Sequence, residues 1–183
     1  MTIHIVLLGP PGAGKGTQAA RITQRYDIPH LSTGDILRSA IRSGSELGKQ
    51  VQDYVTRGEL APVALVVDCI RERVSCDDAR RGFVLDGFPR TIAQAETLDG
   101  LMRGCDMVLG AAIELATDDA SLLCRIIGRA REAAAAGQAV RADDTEESLK
   151  VRLAAFHKQT APLRGYYEQA GIFRSVDGLA DVE

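Results

Sequence analysis

A glycine-rich segment near the start of the chain, GPPGAGKGT at residues 9–17, constrains the fold more than any other feature of the sequence. It follows a short apolar run, IHIVLL (Ile3–Leu8), and precedes KGTQAARITQRY, a segment of helical composition. An apolar run of this kind is typical of a strand covered on both faces in a parallel sheet. Glycines between such a strand and a helix let successive N–H groups turn towards one anion, and the helix N-terminus adds partial positive charge. The pattern therefore predicts a phosphate-binding loop in an α/β protein, with Lys15 reaching the phosphates.

Apolar strand candidates alternate with helix-forming stretches along the rest of the chain. The further candidates are a short strand in IPHLS, GFVLD (82–86), MVLGAAIEL (107–115) and GIFRSV (171–176). Alternation of this kind favours right-handed crossovers between parallel strands. We therefore predict one P-loop NTPase-type domain over residues 1–183, with a doubly wound, parallel, five-stranded sheet and helices on both faces.

Two stretches do not fit the alternation and are interpreted as small mobile insertions. Residues 32–61 are too long for a simple crossover and contain several glycines, which favours a helical insertion. Residues of about 128–144 include RAREAAAAGQAVR, where alanine and glutamate favour a brief helix but large apolar residues are lacking, so we expect a short lid. We expect the lid and the insertion to bend at four glycines, Gly34, Gly58, Gly128 and Gly137.

Composition limits the classes of partner. The net charge of −3 and the aromatic content of 4% do not favour nucleic-acid binding, so an anion would have to meet locally clustered cations, and 18 of the 22 basic residues are arginine. No two of the four cysteines form a C-x-x-C pair, so we expect no zinc site and free, mostly buried thiols in a reducing cytoplasm. Neither a signal peptide nor an apolar run approaching the ~20 residues of a membrane span is apparent, so we expect no membrane association.

Polar and charged residues after the strands add to the predicted phosphate site. Asp86 ends an apolar strand, a position suited to orienting Mg²⁺ beside a phosphate loop, often through water. Arg38 follows a polar turn and an early helical Asp35, where it could meet a phosphate. Arg125 and Arg129 lie four apart on one helical face, where like charges repel unless an anion binds between them. Asp144 and Glu147 are predicted to form a capping box for the helix that carries Arg152.

Several motifs in sequence order resemble those of the adenylate kinase family, within the nucleoside monophosphate kinases. The hydroxyl that usually follows the loop lysine comes one residue later, after Gly16, and GPPGAGKGTQ matches the family form G-x-P-G-x-G-K-G-T-Q. The other matching segments are STGDILR (32–38), DGFPRTIAQAE (86–96), LCRIIGR (123–129), RADDTEESLKVR (141–152) and TAPLRGYY (160–167). The resemblance runs from Ile3 to about Gly178, with a short lid that lacks a tyrosine-containing hairpin and metal-binding cysteines. The family normally continues into a packed final helix beyond VDGLADVE, so we expect the chain to be truncated there.

The resemblance implies a role for each matching residue. The implied ATP-binding residues are Gly12, Ala13, Gly14, Lys15, Gly16, Thr17, Arg125, Arg129 and Ala180. The implied AMP-binding residues are Thr33, Arg38, Glu59, Leu60, Ala61, Gly87, Phe88, Pro89, Arg90, Gln94, Arg141 and Arg152. The implied catalytic residues are Lys15, Arg90, Arg125, Arg129, Arg141 and Arg152. Asp86 and Thr17 are implied to orient Mg²⁺, through water.

These roles imply reversible, Mg²⁺-dependent transfer of a phosphoryl group from ATP to AMP, which gives two ADP, by a cytoplasmic monomer. Pyrimidine members of the wider family typically carry Ala where Thr33 stands and Asn where Gln94 stands, so the two residues favour AMP as acceptor. Two alternatives stay open from the sequence: a UMP/CMP kinase, and a nucleotide switch or ATPase that binds a protein partner. A switch does not need both the STGDILR and the DGFPRTIAQ segments.

Overall fold

Five parallel strands form one sheet at the centre of the molecule. They are β1 (Ile3–Leu8), β2 (His30–Ser32), β3 (Gly82–Asp86), β4 (Ala111–Ala116) and β5 (Phe173–Asp177). Their order across the sheet is β2–β3–β1–β4–β5, and every neighbouring pair is parallel. The computed structural model describes residues 2–137, 139, 141 and 143–180. The predicted parallel, five-stranded sheet is confirmed.

Helices connect the strands and cover both faces of the sheet. In the described ranges they are α1 (Lys15–Tyr26), α2 (Thr33–Arg42), α3 (Glu46–Arg57), α4 (Val63–Val74), α5 (Ile92–Gly104), α6 (Asp119–Ala135), α7 (Glu146–Ala155) and α8 (Leu163–Gln169). A short 3₁₀ helix spans Asp77–Arg81 before β3, and a π-helical turn spans Phe156–Thr160 between α7 and α8.

The residues of strand β1 show that the sheet is covered on both faces. Its alternate residues Ile5 and Leu7 pack with Ala19 of α1. Val6 and Leu8 belong to the larger core on the opposite face, with side chains of α4 and α5. Successive strand residues point to opposite faces, so a run of apolar residues is buried only when both faces are covered.

The carboxyl ends of the strands bring the predicted motifs together. Leu7 of β1 is in register with Asp86 of β3, and Ser32 of β2 is in register with the same aspartate. The glycine-rich loop, the α2 N-terminus and the turn after Asp86 therefore leave the sheet at one edge. Ligands of open α/β sheets bind outside this edge.

Two predicted strands begin later than the sequence indicates. The segment predicted as a strand from Met107 enters β4 only at Ala111, because the Met107 amide donates to Met102 O at the end of α5, at 2.8 Å. Val108 is 80% exposed in this connection, although it is apolar. Similarly, Ile172 donates its amide to Tyr167 O of α8, so β5 begins at Phe173 rather than at residue 171. Apolar composition does not predict which residues before a strand are hydrogen-bonded to the end of the preceding helix, and so it does not predict where the strand begins.

The first insertion is helical, as predicted for residues 32–61. It contains α2 and α3, whose N-termini are capped by the hydroxyls of Ser32 and Ser45. These hydroxyls accept the amides of Asp35 and Gly48, at 3.2 Å each. Gly58 ends α3 with a positive φ of 73°, whereas Gly34 lies inside α2.

The predicted lid is partly an extension of helix α6. This helix continues through Gly128 to Ala135, and Gly137 follows with a φ of 66°. Residues 138, 140 and 142 of the predicted lid lie outside the described residues, as do residues 1 and 181–183.

The predicted capping box of Asp144 and Glu147 is wrong. Thr145 is the N-cap of α7, and its hydroxyl accepts the Ser148 amide at 3.1 Å. The Asp144 carboxylate instead accepts hydrogen bonds from the Arg129 guanidinium. For this side chain, hydrogen bonds to a charged partner take the place of a local cap.

The cysteines also differ from the prediction. All four are free thiols, but Cys76, Cys105 and Cys124 are exposed and Cys69 is half-buried, so the expectation of mostly buried thiols is wrong. Cys69 and Cys124 lie on helices α4 and α6, and Cys76 and Cys105 lie just after helices α4 and α5, positions that periodicity alone did not separate from the core. Within the described ranges, every helix is too short or too polar to span a bilayer.

Candidate active site

The glycine-rich loop between β1 and α1 is shaped by left-handed glycines. Gly14 has a φ of 92° and caps the N-terminus of α1, and Gly12 has a φ of 86°. A side chain at either φ is strained, so glycine is required for the loop to turn its amides inwards. The Lys15 ammonium folds over the loop and donates to Gly9 O at 2.8 Å and to Pro10 O at 2.9 Å.

The Lys15 ammonium loses its proton more readily in this position than in water, because its pKa is lowered. Burial lowers its pKa from the ordinary 10.5 to about 8, against the attraction of Asp86 and with the repulsion of Arg90 and Arg152. An anion beside the ammonium would restore its ordinary pKa, because a nearby negative charge favours the protonated form. The lysine is therefore surrounded by groups that favour binding of a polyanion.

Asp86 at the end of β3 fits a role in holding a divalent cation with phosphate and water. Burial would raise its pKa, but the His30 ring beside it and the charge of Lys15 outweigh burial, so the pKa lies below its ordinary value. The His30 Nε2 lies 3.5 Å from Asp86 Oδ2. The side chain is thus ionised, and only 15% exposed.

Thr17 supplies a hydroxyl to the same cleft as Asp86. In the part of the chain that the structure describes, no cluster of three or more His, Cys, Asp or Glu side chains could hold a metal ion. A cation at Asp86 and Thr17 would take most of its ligands from phosphate and water, as Mg²⁺ commonly does.

A second pocket lies between the first insertion and the turn after β3. Thr33, Arg38, Gly87 and Gln94 line it, and the Thr33 hydroxyl donates to Asp86 O at 3.3 Å. Gly87 has a φ of 82°, and a Cβ there would lie 2.6 Å from Thr33 Oγ1. Glycine is needed at this position for backbone conformation and for space.

Arg90 stands where this second pocket opens into the main cleft. Its Nε donates to Gly87 O at 2.7 Å, and its amide donates to Gln94 Oε1 at 2.6 Å. Burial, together with the charge of Arg152, lowers the pKa of Arg90 from 12.5 to about 10, while the charge of Asp86 opposes this change. A buried guanidinium beside a second cation favours an anionic ligand.

Two aspartates hold two other arginines in the cleft. The Arg152 Nη1 donates to Asp143 Oδ2 at 2.8 Å, and Asp143 is 5% exposed. Arg129 is paired with Asp144 through both carboxylate oxygens. Burial lowers the pKa of Arg152, and Asp143 opposes that change. Each carboxylate fixes its arginine while leaving the neighbouring cations uncompensated.

Arg125 and Arg141 reach the cleft from its two outer sides. The Arg125 Nη1 donates to Gly178 O beyond β5 at 2.7 Å. The Arg141 Nη2 lies 3.8 Å from Asp35 Oδ1 of the first insertion. Burial lowers the pKa of Arg141, as do the charges of Arg38 and Arg129. Arg141, within the predicted lid, thus approaches Asp35 of the first insertion.

The main cleft has a volume of about 1450 Å³ and contains most of the residues predicted for the site. Those that line it are Gly12, Ala13, Gly14, Lys15, Gly16, Thr17, Arg38, Leu60, Asp86, Gly87, Pro89, Arg90, Arg125, Arg129, Arg141, Arg152 and Ala180. Those that line the second pocket are Thr33, Arg38, Glu59, Leu60, Ala61, Gly87, Arg90, Gln94 and Arg152. Phe88 lines neither, because its side chain is 1% exposed and packs in the core.

Sequence reasoning missed several residues that the structure brings to the cleft. Asp143, which pairs with Arg152, was not singled out, and Asp144 was interpreted only as a cap. Two adjacent aspartates in a segment rich in predicted phosphate-binding arginines are a signal that could have revealed both. His30 and Thr160 also line the cleft, but no motif in the sequence distinguishes them from ordinary strand and helix residues.

The two pockets share Arg90 and Arg152, so a phosphate bound in each would meet at these guanidiniums. Phosphoryl transfer requires in-line placement and neutralisation of the moving group more than it requires a protein nucleophile. The fold and the site together define a P-loop nucleotide phosphotransferase.

Comparison with known proteins narrows this class to one family. The profile of the family described as adenylate kinase matches residues 7–172. The adenylate kinase of Methylobacterium nodulans is 49% identical over 181 residues, which cover 99% of this chain and 91% of that protein. Those of Methylorubrum populi and Mesorhizobium japonicum are 48% and 46% identical, cover 99% of this chain, and are themselves covered over 90% and 91% of their length. The chain belongs to the adenylate kinase family.

Proposed function

We propose that the protein catalyses the reversible transfer of the terminal phosphoryl group of ATP to AMP, giving two ADP. The observation that carries the proposal is the pair of pockets that meet at Arg90 and Arg152, one beside the phosphate loop and one beside Gln94. The family membership and the names of the relatives support the same reaction.

In this proposal the loop and Lys15 hold the phosphates of ATP. Arg38 and Arg90 hold the phosphate of AMP, and Arg125, Arg129, Arg141 and Arg152 neutralise the charge that develops on the transferring group. Thr33 and Gln94 line the base end of the second pocket. The protein contributes placement and charge, which are the terms that dominate phosphoryl transfer.

We infer that Mg²⁺ accompanies ATP, with Asp86 and Thr17 as the residues that would orient it. When bound, the ion would neutralise charge on the phosphates. Asp86 is ionised and partly enclosed, and Thr17 presents its hydroxyl to the same cleft, which supports this assignment.

An acceptor panel tests the proposed substrates. ATP consumption is measured with AMP, UMP, CMP and GMP, and with no acceptor, while the products are separated by chromatography. We expect consumption that depends on AMP, with ADP as the product. A strong preference for UMP or CMP would contradict the assignment of Thr33 and Gln94, and acceptor-independent hydrolysis would favour a nucleotide switch or ATPase.

We propose further that the protein works as a monomer in the cytoplasm. Two facing insertions need room to move apart, and free thiols are typical of a reducing compartment. Size-exclusion chromatography with light scattering tests the oligomeric state, and a dimer that persists on dilution would contradict it.

A further inference from the structure

The main chain of Arg90 is held on both sides by side chains, one from the start of α5 and one from the turn before α8. Its amide donates to the Gln94 Oε1 at 2.6 Å, and its carbonyl accepts the Thr160 hydroxyl at 2.9 Å. Thr160 is separated from Arg90 by 70 residues in the chain. The Arg90 guanidinium is held to the same short turn through Gly87 O. The backbone of this arginine is therefore fixed before its side chain meets any ligand.

Thr160 is the last residue of the π-helical turn between α7 and α8. In the π-helical turn Phe156–Thr160, the Ala161 amide donates to Phe156 O at 2.9 Å. A threonine inside a regular helix commonly bonds to a carbonyl of its own helix, one turn back. Here the hydroxyl instead bonds to a turn beyond another strand. Short π-helical turns of this kind often occur at functional sites.

The hydrogen bond is protected from solvent and lies at the cleft. Thr160 is 9% exposed and lines the main cleft, and it is among the few buried polar residues of the described chain. A buried carbonyl that loses its donor is poorly satisfied, so the turn would move to find another partner. Because Arg90 belongs to this turn, any such movement displaces its guanidinium.

We propose that Thr160 is a positioning residue for phosphoryl transfer, which acts by fixing the Arg90 turn through the Arg90 carbonyl. The inference rests on the proposed function, since Arg90 must meet the phosphate of the acceptor. In this proposal the π-helical turn contributes to catalysis, because it holds the Thr160 hydroxyl against the Arg90 carbonyl. Thr160 then influences the acceptor side of the reaction and leaves ATP binding at the glycine-rich loop unaffected.

Three variants test the hydroxyl. Thr160→Val removes it and keeps the shape of the side chain, Thr160→Ser keeps it, and Thr97→Val is the control. Thr97 donates its hydroxyl to Ala93 O at 2.8 Å on α5, in neither pocket. We expect Thr160→Val to lower kcat by about 10-fold or more, as misplacement of a positioned group does. KM for AMP should rise, KM for ATP should stay near wild type, and Thr160→Ser should restore most of kcat.

A double-mutant cycle separates action through Arg90 from direct contact with substrate. If Thr160 acts only by positioning Arg90, Thr160→Val should have little further effect on kcat in an Arg90→Ala background. Equal fold-losses in the two backgrounds would overturn the proposal. If Thr160→Val does not fold, Thr160→Ala removes the hydroxyl without placing a methyl group against the carbonyl, and it is measured in its place.

The wild type distinguishes failure of this inference from failure of the proposed function. A wild-type protein without AMP-dependent ATP consumption would refute the function itself. An active wild type with a folded Thr160→Val variant at unchanged kcat and unchanged KM for AMP would refute only the role of Thr160. A purely structural threonine would lower the melting temperature of the variant without this kinetic pattern.

Discussion

At the scale of single residues, the cleft concentrates positive charge that its own carboxylates do not fully neutralise. Asp143 and Asp144 each hold one arginine, whereas Lys15 and Arg90 have pKa values lowered by burial and by neighbouring cations. A protein that keeps such groups charged and close together gains from an anion that binds between them. The lowered pKa values of Lys15 and Arg90 therefore support the proposal that these residues bind phosphate.

Deprotonation of Lys15 should make the activity fall at alkaline pH. In the free protein its pKa is about 8, so the ammonium loses its proton as pH rises through that value. We expect kcat/KM for ATP to fall above about pH 8, because this ratio reports the ionisation of the free enzyme. The fall in kcat should begin at higher pH, since bound phosphate raises the pKa of the lysine.

Steady-state kinetics over a pH series from neutral to alkaline measure both parameters, with kcat/KM for ATP taken well below saturation with AMP and kcat taken at saturating AMP. A buffer series at constant ionic strength is the control, because binding of polyphosphates is sensitive to salt. A kcat/KM for ATP that stays flat well above pH 8 would show that Lys15 is less affected by burial than its surroundings indicate.

Arg125 is the arginine whose removal should separate catalysis from folding. It contacts Gly178 O at the rim of the cleft, so its loss leaves no buried carboxylate unpaired. We expect Arg125→Ala to lower kcat by at least about a hundredfold, given the contribution of arginines to phosphoryl transfer. Arg80→Ala, which removes an exposed surface pair with Asp77, is the matched control and should keep its kcat. Near wild-type turnover by folded Arg125→Ala would contradict the assigned role.

At the scale of elements, the sequence indicates the strands and the glycine-rich loop well but not their exact ends. Runs such as IHIVLL and GFVLD are buried strands because apolar residues on both faces leave few alternatives. Val108 and Ile172 are equally apolar, yet the backbone at or next to them is hydrogen-bonded to the ends of α5 and α8. These hydrogen bonds depend on where the helices end in the folded molecule, which composition does not predict.

In the candidate site too, the motifs predict some residues, whereas others are identified only from the folded structure. The residues of the matching motifs lie in the two pockets because they follow strand ends that the sheet brings together. Phe88 lies within a motif, but the turn directs its side chain into the core. His30 and Thr160 reach the cleft through contacts across long stretches of chain, so no local pattern could have revealed them.

Helix α6 provides a test of the expected hinge at Gly128. A Cβ at Gly128 would meet nothing within 4 Å, and the same holds for Gly165 of α8. Substitution of either glycine by alanine should therefore stabilise the fold by about 0.5–1 kcal/mol. If α6 bends at Gly128 when the lid opens, Gly128→Ala should also lower kcat, because opening often limits turnover.

Thermal unfolding and kcat are measured for both glycine variants. Gly165→Ala is the control, since it stiffens a helix distant from the lid and should raise the melting temperature without slowing turnover. Equal kcat values for Gly128→Ala, Gly165→Ala and wild type would exclude Gly128 as a hinge that limits the rate.

At the scale of the whole molecule, we propose that the two pockets act as one binding surface when the two predicted insertions approach each other. Arg141 lies 3.8 Å from Asp35 across the cleft, and α3 of the first insertion contacts α7. In this proposal, closure would bring the two phosphate sites together and exclude water from the transferring group. Binding in one pocket would then depend on the arrangement of the other.

A ligand that fills both pockets should stabilise the whole molecule more than either nucleotide alone. Diadenosine pentaphosphate joins two adenosines through a chain of phosphates long enough to lie along Lys15, Arg90 and Arg152. All ligands are compared at one molar concentration, about a thousandfold above the Kd of diadenosine pentaphosphate. There this compound should add ~4 kcal/mol to stability, which corresponds to a rise in Tm of roughly 10 °C for a chain of this length. Diadenosine triphosphate, too short to place both adenosines, is the control. Equal rises with the two compounds, or with ATP alone, would mean that the pockets do not bind their phosphates end to end.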